Sequence, residues 1–269
     1  MNSFSFNAIK TLQSNTFLGL IVGENIITLQ RVSSTNDYLK SNLSNSTPYS
    51  EGTVIMAEDQ YAGKGQAGNI WRSEAGQNLT FSILLNPLFL PPAEQFKLNI
   101  AVSLSILDFL KPIVGKDLFI KWPNDIYIGN KKIGGILIEN IIRGKNWKHA
   151  IVGIGLNINQ TYFDPNSARA ASLKSLLHKH FDLKQLLTDC CHCISIRYQE
   201  LHSKSYLKQK EEYKSYLFRL NQRSLFSING VTVEGMVIDV NDEGKLLVNF
   251  NGHMTDFGIK EISFVIDKL

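Results

Sequence analysis

Residues 118–159 read LFIKWPNDIYIGNKKIGGILIENIIRGKNWKHAIVGIGLNIN. β-Branched and aromatic residues run through this stretch, and Gly129-Asn130 and Arg143-Gly144-Lys145-Asn146 supply its turns. A segment of this kind folds as consecutive antiparallel strands joined by short turns. Three more strands are predicted upstream, over residues 25–32, 53–60 and 78–86, the last ended by Pro87. Between the first two, Ser33 to Asn36 offer N-caps for a short helix with apolar Tyr38, Leu39 and Leu43.

Two segments carry the helical period instead. In residues 91–114 two prolines open the run, which suits a first turn. Phe96, Ile100, Leu104, Leu107 and Phe109 or Leu110 then recur on one face, and Pro112 is expected to end the helix. Residues 182–218 read as helical and strongly amphipathic, with Leu183, Leu186, Leu187, Cys190, Ile194 and Tyr198 near one stripe. Residues 160–181 are mixed and read as loops. After Asn221 the texture changes to SLFSING, VTVEGMVIDV, KLLVNF, MTDFGI and ISFVI, short strands spaced as in a small barrel. The best domain cut is therefore near residue 220.

Composition narrows the function classes. A length of 269 residues suits one large domain, or one with a small companion. The net charge of +4 fits an anionic small substrate or an acidic partner and is too slight to argue for nucleic acid. Cys190, Cys191 and Cys193 form an odd, bunched set that argues against a disulfide framework and for a reducing compartment. His192 lies among them, but consecutive residues on a helix point apart, so structural thiols are expected and no metal site. The first residues lack a signal-peptide pattern, and no stretch approaches the ~18 apolar residues of a membrane span. The expected location is the cytoplasm.

Four stretches carry candidate chemistry. GKGQAGNIW (63–71) follows a strand and lets backbone N–H groups approach a ligand as an anion-binding nest, with Lys64 adding charge. It is not a Walker A loop, and although its glycines spell G-x-G-x-x-G, no helix pattern follows. As spacing alone, a structural turn reads as well. In KWPND (121–125), Lys121 closes a strand and is either an edge lysine or a cation aimed into a pocket to offset charge on phosphate oxygens; Asn124 and Asp125 read as turn formers. Gly134-Gly135 inside KIGGILIEN marks a bulge or a close ligand approach. GIGLNIN (153–159) breaks a strand pattern, and Asn157 there could meet a base edge or a phosphate.

In this order, SSTN, AEDQ-x-x-GKGQAGNIW, KWPND, KIGGILIE and GIGLNIN closely resemble the catalytic domain of biotin–protein ligases over residues 26–220. The segment 221–269 resembles that family's C-terminal domain, and residues 1–25 stand outside the resemblance as a leader. The resemblance implies an α+β fold, a mixed sheet flanked by helices like the class II synthetases, followed by a small SH3-like barrel. It implies ATP-dependent activation of biotin to biotinyl-5′-AMP, then transfer to one lysine of a biotin carboxyl carrier domain of acetyl-CoA carboxylase or another biotin-dependent carboxylase. Mg²⁺ is expected with the ATP, without an assigned protein ligand. A homodimer is compatible with the family.

Carried over position by position, the resemblance implies Ser34, Thr35, Asn36, Gln60, Gly63, Lys64, Gly65, Lys121, Gly134 and Gly135 as biotin-side residues. It implies Gln66, Trp71, Lys132 and Asn157 on the adenylate side, with Lys121 and Lys64 as catalytic cations. Where many relatives read GRGRxGR, this chain has Lys64 and Gln66, so the loop carries less positive charge. Some relatives add an N-terminal DNA-binding domain and act as repressors. The leader ahead of residue 26 is too short and lacks a basic cluster for that, so a ligase without DNA binding is expected. The competing expectations are a lipoate or octanoate transferase and a biotin-adenylate sensor that does not transfer.

Overall fold

The computed structural model describes residues 20–43, 49–167, 169–203 and 205–265, so most of the expected leader lies outside the described residues. Strands β1 (Ile26–Val32), β2 (Val54–Gln60), β5 (Leu79–Leu85), β6 (Leu118–Lys121), β7 (Asp125–Ile128), β8 (Lys131–Arg143) and β9 (Asn146–Leu156) form a sheet ordered β1-β2-β5-β9-β8-β7-β6. Only β1 and β2 pair parallel, so the sheet is mixed. Between β2 and β5, β3 (Gly63–Lys64) and β4 (Ile70–Trp71) make a small hairpin. The run 118–159 is the predicted antiparallel series, with turns at Gly129-Asn130 and Gly144-Lys145 where both glycines have positive φ.

Strand period decides which face each side chain joins. Val54 and Met56 of β2, Leu79, Phe81, Ile83 and Leu85 of β5, and Ala150, Val152, Ile154 and Leu156 of β9 all enter one large core. Helices α2 (Gln95–Val114) and α4 (Leu183–His202) cover that face, supplying Leu98, Ile106, Leu107, Leu187, Cys190 and Ile194. The alternate residues face the other way. There Ile55, Leu84 and Ile151 pack under Leu39 of α1 (Thr35–Asn42). Farther along the same face the side chains become small or polar: Thr80 stands opposite Gly155, and Ser82 opposite Gly153. The sheet thus lays down an apolar seat for α1 and, next to it, a shallow polar floor.

Several element boundaries depart from expectation. Pro112 sits inside α2, which continues to Val114. In the last turn proline removes a single backbone bond, and Gly115 closes the helix at φ 77° by donating to the Lys111 carbonyl. The first residues of that run, Pro92–Glu94, form a 3₁₀ turn. The segment expected to be helical, 182–218, holds two helices, α4 and α5 (Tyr206–Ser215). Ser203 lies at the break, its hydroxyl donating to the Glu200 carbonyl. The described residues of 160–181 include a 3₁₀ turn, Pro165–Ser167, and a short helix, α3 (Leu173–Leu177), with a reciprocal Ser172–Ser175 capping box.

Cys190 and Cys191 are buried and Cys193 half-buried, all as free thiols. Burial pushes the Cys191 thiol up to about 12 and Cys193 to about 11. Among the described residues no group of three or more His, Cys, Asp or Glu is placed to hold a metal ion, and no helix is long and apolar enough to cross a membrane.

Arg197 locks the helical layer. Buried on α4, it donates to Asp108 of α2 at 2.6 and 3.1 Å and to Glu212 of α5 at 2.8 Å from two nitrogens. Arg197→Met keeps most of the apolar stem but strands these carboxylates. Because they reach solvent, the expected loss is at the low end for a broken buried pair, about 2–3 kcal/mol, read as a lower midpoint in urea unfolding with unchanged slope. An unchanged midpoint would show that the cluster contributes nothing.

The C-terminal unit is a five-stranded antiparallel sheet of β10 (Arg223–Ile228), β11 (Val231–Val240), β12 (Leu246–Phe250), β13 (His253–Phe257) and β14 (Ser263–Val265), ordered β13-β12-β11-β10-β14. Phe226, Phe250, Phe257 and Phe264 form its aromatic interior. It docks firmly on the first unit. Trp122 Nε1 donates to the Gly244 carbonyl at 2.8 Å, Lys214 pairs with Asp239 at 2.9 Å, and Tyr206 and Lys210 both bond Asp242.

Candidate active site

The polar floor is wired to α1 through a buried chain of hydrogen bonds. Ser34 caps α1, its hydroxyl accepting from the Asp37 N–H. Thr35 donates its N–H to Gln60 Oε1 at 2.9 Å, and Ser82 Oγ lies 2.6 Å from both Thr35 Oγ1 and Asn36 Oδ1. Asn36 Nδ2 donates to Glu139 at 2.8 Å. Ser34, Thr35, Asn36 and Ser82 are all nearly fully buried. Satisfied networks of this type fix side chains in one arrangement. Gly153 makes room for it, since a Cβ there would lie 2.4 Å from Asn36 Oδ1.

The glycine loop closes over this floor. After the β3–β4 hairpin starts, Gln66–Gly68 make a single 3₁₀ turn, with Ala67 at φ 58°. No helix follows, in keeping with the exclusion of a dinucleotide loop. Trp71 returns onto the sheet at Gly155, where an added Cβ would lie 2.4 Å from the indole Cε2. Its Nε1 is buried and has no hydrogen-bond partner among the described residues. Lys64 reaches across to Asp37 on α1 at 2.7 Å, and that hydrogen bond raises its pKa.

KWPND forms the opposite wall. Lys121 ends β6 and stands opposite Asp125, so residues 122–124 make the turn. Its Nζ lies 5.7 Å from the Tyr127 ring centre and 5.8 Å from that of Phe264. Burial lowers the Lys121 pKa, partly offset by Asp125, while Lys132 and Arg169 lower it further. Lys132 pairs with Asp125 at 2.5 Å. Asn124, read from sequence as a turn former, is buried and bridges two elements: its Nδ2 donates to the Ile136 carbonyl and to Gln66 Oε1 at 3.2 Å.

These walls enclose a cavity of about 370 Å³, lined by Ser34, Thr35, Asn36, Gln60, Lys64, Gly65, Gln66, Trp71, Lys121, Lys132 and Gly135 from the sequence-derived set. Three candidates do not reach it. Asn157 turns its side-chain amide to the Ala171 carbonyl at 3.1 Å and so braces the chain behind the floor. A Cβ on Gly134 would lie 2.4 Å from Leu156 Cδ2, and one on Gly63 would lie 2.5 Å from the Trp71 carbonyl. Both glycines permit close chain packing rather than a ligand's approach. Sequence reasoning missed Gly153, Gly155, Asn124 and a segment of the C-terminal unit, Ile259–Phe264 less Glu261, that also lines the cavity. The arrangement suits a bipartite ligand, with a neutral polar end at α1 and an anionic middle beside Lys121 and Lys132.

Comparison with known proteins agrees with this geometry. Residues 28–157 match the model of the biotin/lipoate A/B protein ligase family. The bifunctional ligase/repressor BirA proteins of Bacillus spizizenii and Bacillus subtilis are each 30% identical over 247 residues, covering 90% of this chain and 73% of theirs. The biotin protein ligase from Aquifex aeolicus in complex with biotin and ATP superposes with a TM-score of 0.75 at 28% identity, covering 90% of this chain and 98% of that one.

Proposed function

The chain belongs to the biotin/lipoate A/B protein ligase family, as a biotin–protein ligase, and from that premise we propose how its cavity joins biotin to protein at the expense of ATP. Biotin lies with its neutral end against Ser34, Thr35, Asn36 and Gln60 and its carboxylate toward Lys121. A carboxylate oxygen attacks the α-phosphorus of ATP, forming biotinyl-5′-AMP and expelling pyrophosphate. An acceptor lysine then attacks the acyl carbon and AMP leaves. The acceptor belongs to a biotin carboxyl carrier domain, as in acetyl-CoA carboxylase.

The observation that carries this reading is the convergence of Lys64, Lys121, Lys132 and the glycine loop on one cavity beside an uncharged, fully bonded polar floor. Bringing a carboxylate to a polyphosphate sets anion against anion. Fixed cations and backbone N–H groups offset that repulsion, and positioning supplies much of the remaining rate. Gly65 and Gly135 let backbone approach the ligand, while Gln66, Trp71 and Lys132 flank the adenylate. Asp125 is the one carboxylate lining the cavity among the described residues, and it pairs with Lys132. Mg²⁺ therefore enters as part of the MgATP substrate, held by its phosphates. The segment 26–220 is the catalytic domain, and 221–269 an SH3-like barrel whose edge completes the cavity wall. Three free thiols suit a cytoplasmic setting.

A single-turnover experiment tests the proposal. The protein is mixed with biotin, Mg²⁺ and α-phosphate-labelled ATP, and a biotin carrier domain is added afterwards. Labelled biotinyl-AMP should form first and disappear as the carrier gains biotin. Adenylate formed from lipoate but not biotin would move the chain to the lipoate branch, and biotin binding without any adenylate would make it a sensor.

The neutral Gln66 predicts a looser hold on the intermediate than an arginine would give. Arginine at this position could not accept the Asn124 hydrogen bond, but Asn124 keeps its bond to the Ile136 carbonyl. Gln66→Arg should slow release of labelled biotinyl-AMP by about tenfold, as expected for one added charge-assisted phosphate contact. Equal off-rates for the two proteins would remove the idea.

A further inference from the structure

Four lysines line the cavity, and they are not equally available to an anion. Lys64 pairs with Asp37 and Lys132 with Asp125, while Lys121 is wedged between the rings of Tyr127 and Phe264. The fourth, Lys260, comes from the C-terminal unit, lies exposed, and has no ion-pair partner among the described residues.

Its backbone is unusual. Lys260 has φ 75°, a left-handed conformation that favours glycine and is strained for a lysine. The turn that carries it is closed on itself: the Gly258 N–H donates to Glu261 Oε2 at 2.6 Å, and the Glu261 N–H donates back to the Gly258 carbonyl. Glu261 is thereby engaged within the turn. Buried Phe257 and Ile262 anchor both ends. Just beyond, Phe264 packs against Phe218 at 5.7 Å and Phe226 at 4.8 Å and presents its ring to Lys121. A turn closed on itself thus brings Lys260 into the cavity lining, four residues before the ring that faces Lys121.

Resting on the ligase reading above, we propose that Lys260 contacts the polyphosphate of ATP beyond Lys121, so that the C-terminal unit supplies a charge the glycine loop lacks at Gln66. The leaving pyrophosphate, which carries most of the negative charge, meets Lys260. Biotin, at the α1 end, does not. The C-terminal unit is then part of the nucleotide site, and its docking through Trp122, Lys214 and Asp242 holds that charge in register.

Lys260→Gly separates function from fold, because glycine adopts φ 75° without strain while removing the cation. Lys260→Arg keeps the charge. Full-length wild type and both variants are compared for KM of MgATP in biotinyl-AMP formation, inhibition by inorganic pyrophosphate, biotin affinity by calorimetry, and Tm. Loss of one charge-assisted phosphate contact predicts that Lys260→Gly raises KM for ATP and weakens pyrophosphate inhibition by about tenfold each. Biotin affinity should stay within about twofold, Tm should be unchanged or higher, and Lys260→Arg should resemble wild type. An unchanged KM for ATP overturns the proposal, as does an equal loss for ATP and biotin with a lower Tm, which would mean a structural role. Failure of wild type to form biotinyl-AMP at all would overturn the ligase reading itself, and is seen before any variant is made.

Discussion

Lys121→Gln should slow biotinyl-AMP formation by about three orders of magnitude, while biotin affinity falls far less. The magnitude follows from removing a preorganised charge at the point where negative charge is concentrated as the carboxylate meets the α-phosphorus. Glutamine keeps similar length and can donate a hydrogen bond, so binding survives better than rate. Quenched single-turnover assays at saturating biotin and ATP read the chemical step directly, and a loss below about tenfold would exclude Lys121 from the reaction.

The pH dependence has a definite sign. Burial lowers the Lys121 pKa, so in the free protein its charge is lost at a lower pH than for an exposed lysine. ATP binding should therefore weaken as pH rises through that lowered value. The bound anions favour the ammonium, so the saturated complex should resist the same rise and take up a proton on binding. Lys121→Arg, charged throughout, should push the limb of the KM–pH profile to higher pH even if its rate is lower. Stability runs the other way. Because the unfolded chain binds this proton more tightly, the burial penalty is fully present below the lowered folded value. It is relieved as pH climbs between the folded and unfolded values.

The parts of the site that were legible in sequence are those fixed locally. Ser34 caps a helix, so its place follows from the residues next to it. Lys121 closes a strand before a turn, and GKGQAGNIW announces a close-approach loop. What was not legible depends on register between distant strands. That Gly153 faces Ser82 and Gly155 faces Thr80, and that Trp71 comes to rest on Gly155, requires the β5–β9 pairing and the loop's return across some 70 to 85 residues of chain. The contribution of Lys260 and Phe264 requires the docking of a second unit. Asn157 shows the same limit, since a strand-end asparagine looks the same whether its amide faces a ligand or, as here, the Ala171 carbonyl. Pro112 misled because this close to the C-terminal end a proline forfeits only its own backbone bond, and the helix runs two residues past it to Val114.

That reliance on register makes Gly155→Val a severely damaging change. A Cβ at Gly155 would sit 2.4 Å from Trp71 Cε2, 2.6 Å from Cζ2 and 2.8 Å from Nε1, all far inside contact distance. The neighbours cannot absorb this. Gly155 pairs with Thr80 on one side and Gly135 on the other, in the middle of the sheet, so its backbone is fixed. Trp71 must therefore leave, and it is tied by the β3–β4 hairpin to Gly63, so the glycine loop moves with it. Adenylation should fall at least 100-fold, because both the wall formed by the indole and the backbone N–H groups of the loop lose their positions. The overpacking should also cost about 1–3 kcal/mol of stability. Gly155→Ala should show the same pattern more mildly. Pairing it with Trp71→Ala distinguishes this mechanism from simple damage. If the clash acts through the indole, removing the indole first leaves Gly155→Ala almost nothing further to disturb, and the two losses fall well short of adding. Fully additive losses, or a Gly155→Val protein that still makes biotinyl-AMP at the wild-type rate, would mean that Trp71 does not hold the loop closed over the floor.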